Sequence, residues 1–302
     1  MVFSWNIVLG CAVALASTWA SAKTIEHNLG SIEIEGQPKR VVVLSYGALD
    51  LLDELNVDVV GVVKQLIPEH LSQYQAEQYA SLGSLKEPNF EAIYMAKPDL
   101  IIAEGRQVEM YSALSDIAPT YMYQIDSADY WTTTQHHWRV MGDLFGQTER
   151  VEQMIADVQA QFDAVAKKAQ SGEFSALTVM NNGNRISMFG RQSRFSIVYD
   201  EFGFHTNESK NVETVAATHG NLISFEYIAD AKPDVMFILD RQQAIGAGNN
   251  VSKQLFDNAL VNNTPAAQHD RIVFLDPAAW YLTAGGYHST QTMVADVEKV
   301  FH

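Results

Sequence analysis

Two arginines stand at matched places in a chain that repeats itself. The segment Phe90-Glu91-Ala92-Ile93-Tyr94-Met95-Ala96-Lys97-Pro98-Asp99 recurs without a gap as Phe225-Glu226-Tyr227-Ile228-Ala229-Asp230-Ala231-Lys232-Pro233-Asp234. Each position lies 135 residues after its match, and the same register carries Arg106 onto Arg241. A guanidinium is permanently charged and presents a planar fork of donors, so two of them lining one space suit an anionic group. A lone arginine more often serves a surface ion pair. Two in one register argue instead for a shared cleft.

The elements that must hold them can be read from the repeat. Each copy predicts a short helix followed by a strand. Glu91 and Glu226 fall near the helix start, where a carboxylate suits the positive end of the dipole. Lys97 and Lys232 are expected in the last turn, and Pro98 and Pro233 end the helix. The apolar runs 100–103 and 235–239 read as strands buried on both faces of a parallel sheet. Arg106 and Arg241 then lie just past the carboxyl ends of those strands, the edge at which open α/β sheets bind ligands.

Around these copies the chain predicts an α/β fold of two lobes with central, mainly parallel sheets joined by one long connecting helix. The first lobe, 23–147, opens with a βαβ unit: strand 41–44, a helix through Leu49, Leu51, Leu52 and Leu55, and strand 59–63. Thr148 is expected to cap an amphipathic helix over 148–170, with Val151, Met154, Ile155, Val158, Phe162 and Val165 on one face. Such a helix is a stiff link, so only a slight rotation of the lobes on binding is expected. The second lobe, 171–302, starts with strands 176–180 and 185–188 and ends with a helix from about Ser289.

Residues 1–22 contain no charged side chain and end in Ala20-Ser21-Ala22, which reads as a secretory leader cleaved near Ala22. Cys11 follows Val8-Leu9-Gly10 in a box like that of lipoproteins, but so early that lipidation is the less favoured outcome. It is the single cysteine, so the exported chain has no disulfide. The net charge of −16 argues against nucleic acid as a partner. It leaves room for a locally positive cleft and an anionic ligand.

With the twice-used E-x-I-x-x-x-K-P-D motif on a leader-bearing, two-lobed chain, the sequence resembles the periplasmic substrate-binding proteins of iron-siderophore, haem and vitamin B12 importers. Gly105-Arg106-Gln107, Gly190-Arg191-Gln192-Ser193-Arg194-Phe195, His219-Gly220-Asn221, Leu239-Asp240-Arg241 and Trp280-Tyr281-Leu282-Thr283-Ala284-Gly285-Gly286 resemble segments of the ferric-catecholate binders, of the enterobactin and tetradentate-catecholate type. The resemblance implies that Arg106, Arg194 and Arg241 surround an anionic ferric catecholate siderophore. It implies further that His219 and Tyr281 can bind Fe(III) where the siderophore leaves coordination sites open. No permanently bound cofactor is expected; the iron complex is cargo for an inner-membrane ABC permease, which Glu91 and Glu226 would contact. A periplasmic monomer is expected.

The chemistry is consistent with that picture. Fe(III) is a hard ion that favours phenolate oxygen and accepts imidazole. An arginine about 4 Å from the complex contributes roughly 4 kcal/mol at an effective dielectric near 20, before desolvation. Tyr287 and His288 are rivals of Tyr281, while Trp138 and Trp280 read as packing residues able to report binding. His136 and His137 diverge by about 100° on a helix and make a poor metal pair. Haem or cobalamin binding stays open within the same fold. A zinc or manganese receptor would need several convergent histidines and carboxylates. An enzyme would be expected to show one of the familiar catalytic motifs, such as G-x-S-x-G or H-E-x-x-H, and the sequence contains neither.

Overall fold

The computed structural model describes residues 22–207, 220–248 and 252–302. The expected leader lies outside the described residues apart from Ala22. The described residues begin with an antiparallel pair, β1 (Ala22–His27) and β2 (Gly30–Glu35), whose inward positions Ile25, Ile32 and Ile34 alternate with exposed ones. The first sheet contains β3 (Val41–Val43), β4 (Val59–Val62), β5 (Ala80–Ser81), β6 (Leu100–Ala103) and β7 (Thr120–Met122). Its order is β5-β4-β3-β6-β7, and all pairs are parallel. The order reverses between β3 and β6, a switch point of the kind that leaves a crevice at the strands' carboxyl ends.

The second sheet is mixed. It comprises β8 (Ser175–Asn182), β9 (Arg185–Phe189), β10 (His205–Thr206), β11 (Asn221–Ile223), β12 (Val235–Asp240) and β13 (Ile272–Phe274), in the order β11-β9-β8-β12-β13 with β10 beside β8. β8, β10, β12 and β13 run parallel, whereas β9 is antiparallel to both β8 and β11.

Both copies of the repeat build the same device. Helix Phe90–Met95 is capped by Asn89, which accepts from the Ala92 N–H at 3.0 Å, and helix Phe225–Ala231 by Ser224, which accepts from the Tyr227 N–H at 3.3 Å. The lysines differ from expectation: they lie past the helical turns, with left-handed φ of 48° at Lys97 and 49° at Lys232. Each left-handed residue closes its helix, with the Lys97 N–H bonded to the Tyr94 carbonyl at 3.1 Å and the Lys232 N–H to the Ile228 carbonyl at 3.2 Å, and turns the chain into the proline that cannot continue it. The aspartate then ties each strand to its neighbour. Asp99 accepts from the N–H groups of Lys39 and Arg40, both at 2.8 Å, at the entry to β3. Asp234 accepts from the Ser175 N–H at 3.0 Å and its hydroxyl at 2.6 Å, at the start of β8.

The connecting helix spans Thr148–Ser171 and buries Val151, Met154, Ile155, Val158, Phe162, Val165 and Ala169. Its N-cap is Gln147 without a side-chain bond, so Thr148 is the first helical residue rather than the cap. Phe162 meets Trp131 edge-on at 4.9 Å and Phe202 at 5.2 Å, joining the two lobes through one ring. The C-terminal helix, Tyr287–Glu298, packs on both helix Tyr46–Glu54 and the connecting helix. Asp50, 2% exposed, fastens that contact. It accepts from the N–H groups of His288 and Ser289, at 2.8 and 3.0 Å, and from the Ser289 hydroxyl. The last helix therefore completes a core that begins in the first lobe. Among the described residues no helix is long and apolar enough to cross a membrane.

Candidate functional site

Tyr281 is the point on which the arginines converge. It ends the short helix Pro277–Tyr281, whose start is set by Pro277 and by Asp276, which accepts from the Ala279 N–H at 2.8 Å. The turn that follows is moored to the first lobe. The Gly285 carbonyl accepts from the Tyr123 hydroxyl and the Trp138 indole N–H, each at 2.7 Å, and the Gly285 N–H donates to the Tyr130 hydroxyl at 3.0 Å. Only a residue without a side chain suits this place, because φ is +83° and an added Cβ would lie 2.6 Å from Ile125 Cδ1.

Arg241, first residue of the helical turn after β12, donates from Nε to the Tyr281 hydroxyl at 2.9 Å. The Arg194 guanidinium lies 4.3 Å from the centre of the Tyr281 ring. Arg106 and Arg194 each reach the Tyr281 backbone carbonyl at 3.4 Å. Arg194 Nε is buried without a hydrogen-bond partner among the described residues. A buried donor left unpaired carries a desolvation cost of about 1–3 kcal/mol that an acceptor on a ligand would relieve. Arg106, Arg194, Tyr281 and Trp280 line a cavity of about 510 Å³ that continues over Gln124, Asp126, Gln192 and Ser193.

These charges act on one another. Burial pushes the Tyr281 phenol up, but the hydrogen bond from Arg241 and the charges of Arg194, Arg241 and Arg106 outweigh it and hold the phenol below the ordinary tyrosine value. Burial pulls the Arg194 guanidinium down, partly offset by Tyr281. At Arg106 burial acts the same way but is outweighed by the Glu104 carboxylate, which is ion-paired with Arg106 Nη1. Glu104, in the turn between β6 and Arg106, is a cleft residue that sequence reasoning missed. Its adjacency to Gly105-Arg106 at a strand's carboxyl end was the available signal.

His219 lies outside the described residues; the chain resumes at Gly220 and pairs along β9 from Asn221. Tyr287 is set apart from the arginines, beside Trp138 at 5.6 Å, and His288 stacks on His70 at 4.4 Å. That histidine pair lines a second cavity of about 580 Å³, which shares Leu282 with the first. His136 is exposed, whereas His137 is buried between the Tyr121 hydroxyl at 2.6 Å and the Gln124 carbonyl at 2.9 Å. Trp138 is fully buried, and Trp280 donates to Asp296 at 2.9 Å while lining the cleft. Glu91 and Glu226 are exposed in the first turns of the two repeat helices.

Comparison with known proteins gives consistent likenesses. The family model described as periplasmic binding protein matches residues 41–279. The petrobactin-binding protein YclQ of Bacillus subtilis is 36% identical over 279 residues, covering 91% of this chain and 87% of the relative. The ferric-anguibactin-binding protein FatB of Vibrio anguillarum is 32% identical over 283 residues, covering 91% and 86%. The crystal structure of the periplasmic catecholate-siderophore binding protein VctP from Vibrio cholerae superposes with a TM-score of 0.87 at 40% identity, covering 92% of this chain and 100% of that one.

Proposed function

Since the chain belongs to the periplasmic binding protein family, we propose that it captures a ferric catecholate siderophore in the cleft and delivers it to an inner-membrane ABC permease. The observation that carries this reading is the convergence of Arg106, Arg194 and Arg241 on Tyr281 in a protein of net charge −16. Guanidinium groups gathered against the protein's overall sign suit an anionic cargo. A phenol held low by those same groups suits Fe(III), which displaces its proton on coordination. Tyr281, with His219, completes the coordination of a tetradentate complex. The likeness to proteins named for petrobactin, anguibactin and catecholate siderophores supports the class of cargo.

Binding without catalysis is the role this assigns. Glu91 and Glu226 are the permease contacts, supported by their equivalent, exposed positions beside Tyr94, Met95 and Leu222, which are 67%, 67% and 59% exposed. The protein is periplasmic, with the leader removed near Ala22, and binds as a monomer.

The test is a tryptophan-fluorescence titration with ferric bis-catecholate, ferric tris-catecholate, a ferric hydroxamate, haem and cobalamin, with Trp280 the tryptophan that lines the cavity. Saturable quenching by the catecholates, weakened by Tyr281→Phe and by Gln at Arg106, Arg194 or Arg241, is expected. Quenching by haem or cobalamin instead would keep the transport class and overturn the cargo.

A further inference from the structure

Among the described residues, Glu104 is one of two carboxylates, with Asp126, in the lining of the cavity that holds Arg106 and Arg194, and it is the one that touches an arginine there. Its side chain is 12% exposed, it pairs with Arg106, and it lines the same cavity as Arg194 and Tyr281. Its place is held by reciprocal bonds. The Glu104 N–H donates to Gln107 Oε1 at 2.9 Å, the Gln107 N–H donates back to the Glu104 carbonyl at 2.9 Å, and the Gln107 amide donates to the Leu85 carbonyl. Gln107 is fully buried. The carboxylate is therefore built into the wall, and its pair with Arg106 cancels one positive charge of a cavity lined by Arg106 and Arg194, with Arg241 behind them on the Tyr281 hydroxyl.

That cancellation matters differently to different ferric complexes. Two catecholate dianions around Fe(III) leave a monoanion, whereas three leave a trianion. Attraction to the cleft rises in proportion to ligand charge, while the cost of removing the ligand from water rises with its square. A less positive cleft therefore fits a less negative ligand best. Repulsion by Glu104 itself is three times larger for the trianion.

Resting on the cargo class proposed above, we propose that Glu104 is a specificity residue, biasing the cleft against the trianionic tris-catecholate and toward the tetradentate, monoanionic bis-catecholate. The experiment measures Kd for ferric bis-catecholate and ferric tris-catecholate in the wild type, Glu104→Gln and Glu104→Ser. Serine removes the charge but retains a side chain suited to capping the following turn, so one neutral variant can stand in if the other does not fold. Both substitutions are expected to tighten tris-catecholate about 10-fold to 30-fold and bis-catecholate about 2-fold to 3-fold, a change of about 5-fold to 10-fold in selectivity, or roughly 1 kcal/mol. Equal tightening of both complexes, or no change in either, overturns the role of Glu104 and leaves the cargo class intact. A wild type that binds neither complex overturns both.

Discussion

Substituting Gly285→Ala tests the mooring of the cleft turn. Alanine at a φ of +83° enters a left-handed region that costs about 1–2 kcal/mol for an L-residue. The new methyl would also lie 2.6 Å from Ile125 Cδ1, 2.8 Å from Ile125 Cγ1 and 3.2 Å from Tyr123 Cε1. Overlap of that kind adds about 1–3 kcal/mol. Relief by moving the turn would sacrifice the bonds from Tyr123, Trp138 and Tyr130, so the costs should not disappear. The expected total, roughly 2–5 kcal/mol, is a large share of the 5–15 kcal/mol typical of a folded protein. Thermal melting of the variant should fall by about 5–15 °C. Ligand titration should show weaker binding, because Tyr281 lies one turn before the moorings. A double-mutant cycle with Ile125→Ala removes the two nearest atoms and should recover about 1–2 kcal/mol as a coupling energy. A Gly285→Ala protein that melts with the wild type, or shows no coupling to Ile125, would refute the reasoning.

Other outcomes follow from single groups. Burial lowers His137 to about 4, so between its ordinary value near 6.5 and that point the unfolded chain takes a proton that the folded one refuses. Stability should therefore fall by about 3 kcal/mol as pH drops from 6.5 to 4 and level off below, and urea midpoints for His137→Gln should fall less over the same window. Lys97→Gly and Lys232→Gly should each raise stability by up to about 1 kcal/mol in denaturant unfolding, since glycine takes a positive φ without strain. Arg241→Gln should move the Tyr281 phenol's titration upward, measurable as a shift in the near-ultraviolet tyrosinate signal relative to a Tyr281→Phe control. An unchanged titration would mean that the 2.9 Å bond has little hold on the phenol.

Much of the architecture was legible because the repeat carries its own punctuation. Proline, aspartate and an apolar run give helix end, strand tie and strand in order, and Arg106 and Arg241 follow β6 and β12 in the expected register. The left-handed lysines were not legible, because lysine is an ordinary last-turn residue and only the chain's path forces the conformation. Helix periodicity located the C-terminal helix but carried no information about which lobe it packs against. The partner of that face is set by Asp50, far away in sequence. Glu104 was missed because an acidic residue beside an arginine reads as a surface pair until the fold puts both in one cavity. Arg194 entered only through the family resemblance. The described residues bring it to Tyr281, and they leave His219 outside.

The fold-back of the C-terminal helix has a consequence for when the protein can finish folding. Asp50 and Ser289 meet across 239 positions of chain, so the first lobe lacks its final wall until nearly the whole polypeptide is available. A chain emerging N-terminus first, as during synthesis, can form β3 to β7 but cannot seal helix Tyr46–Glu54. Ending the chain at Gly286 should therefore weaken both lobes together and broaden unfolding, where loss confined to the second lobe would show the first to be autonomous. The last sixteen residues, 287–302, act as the latch that decides when the first lobe closes.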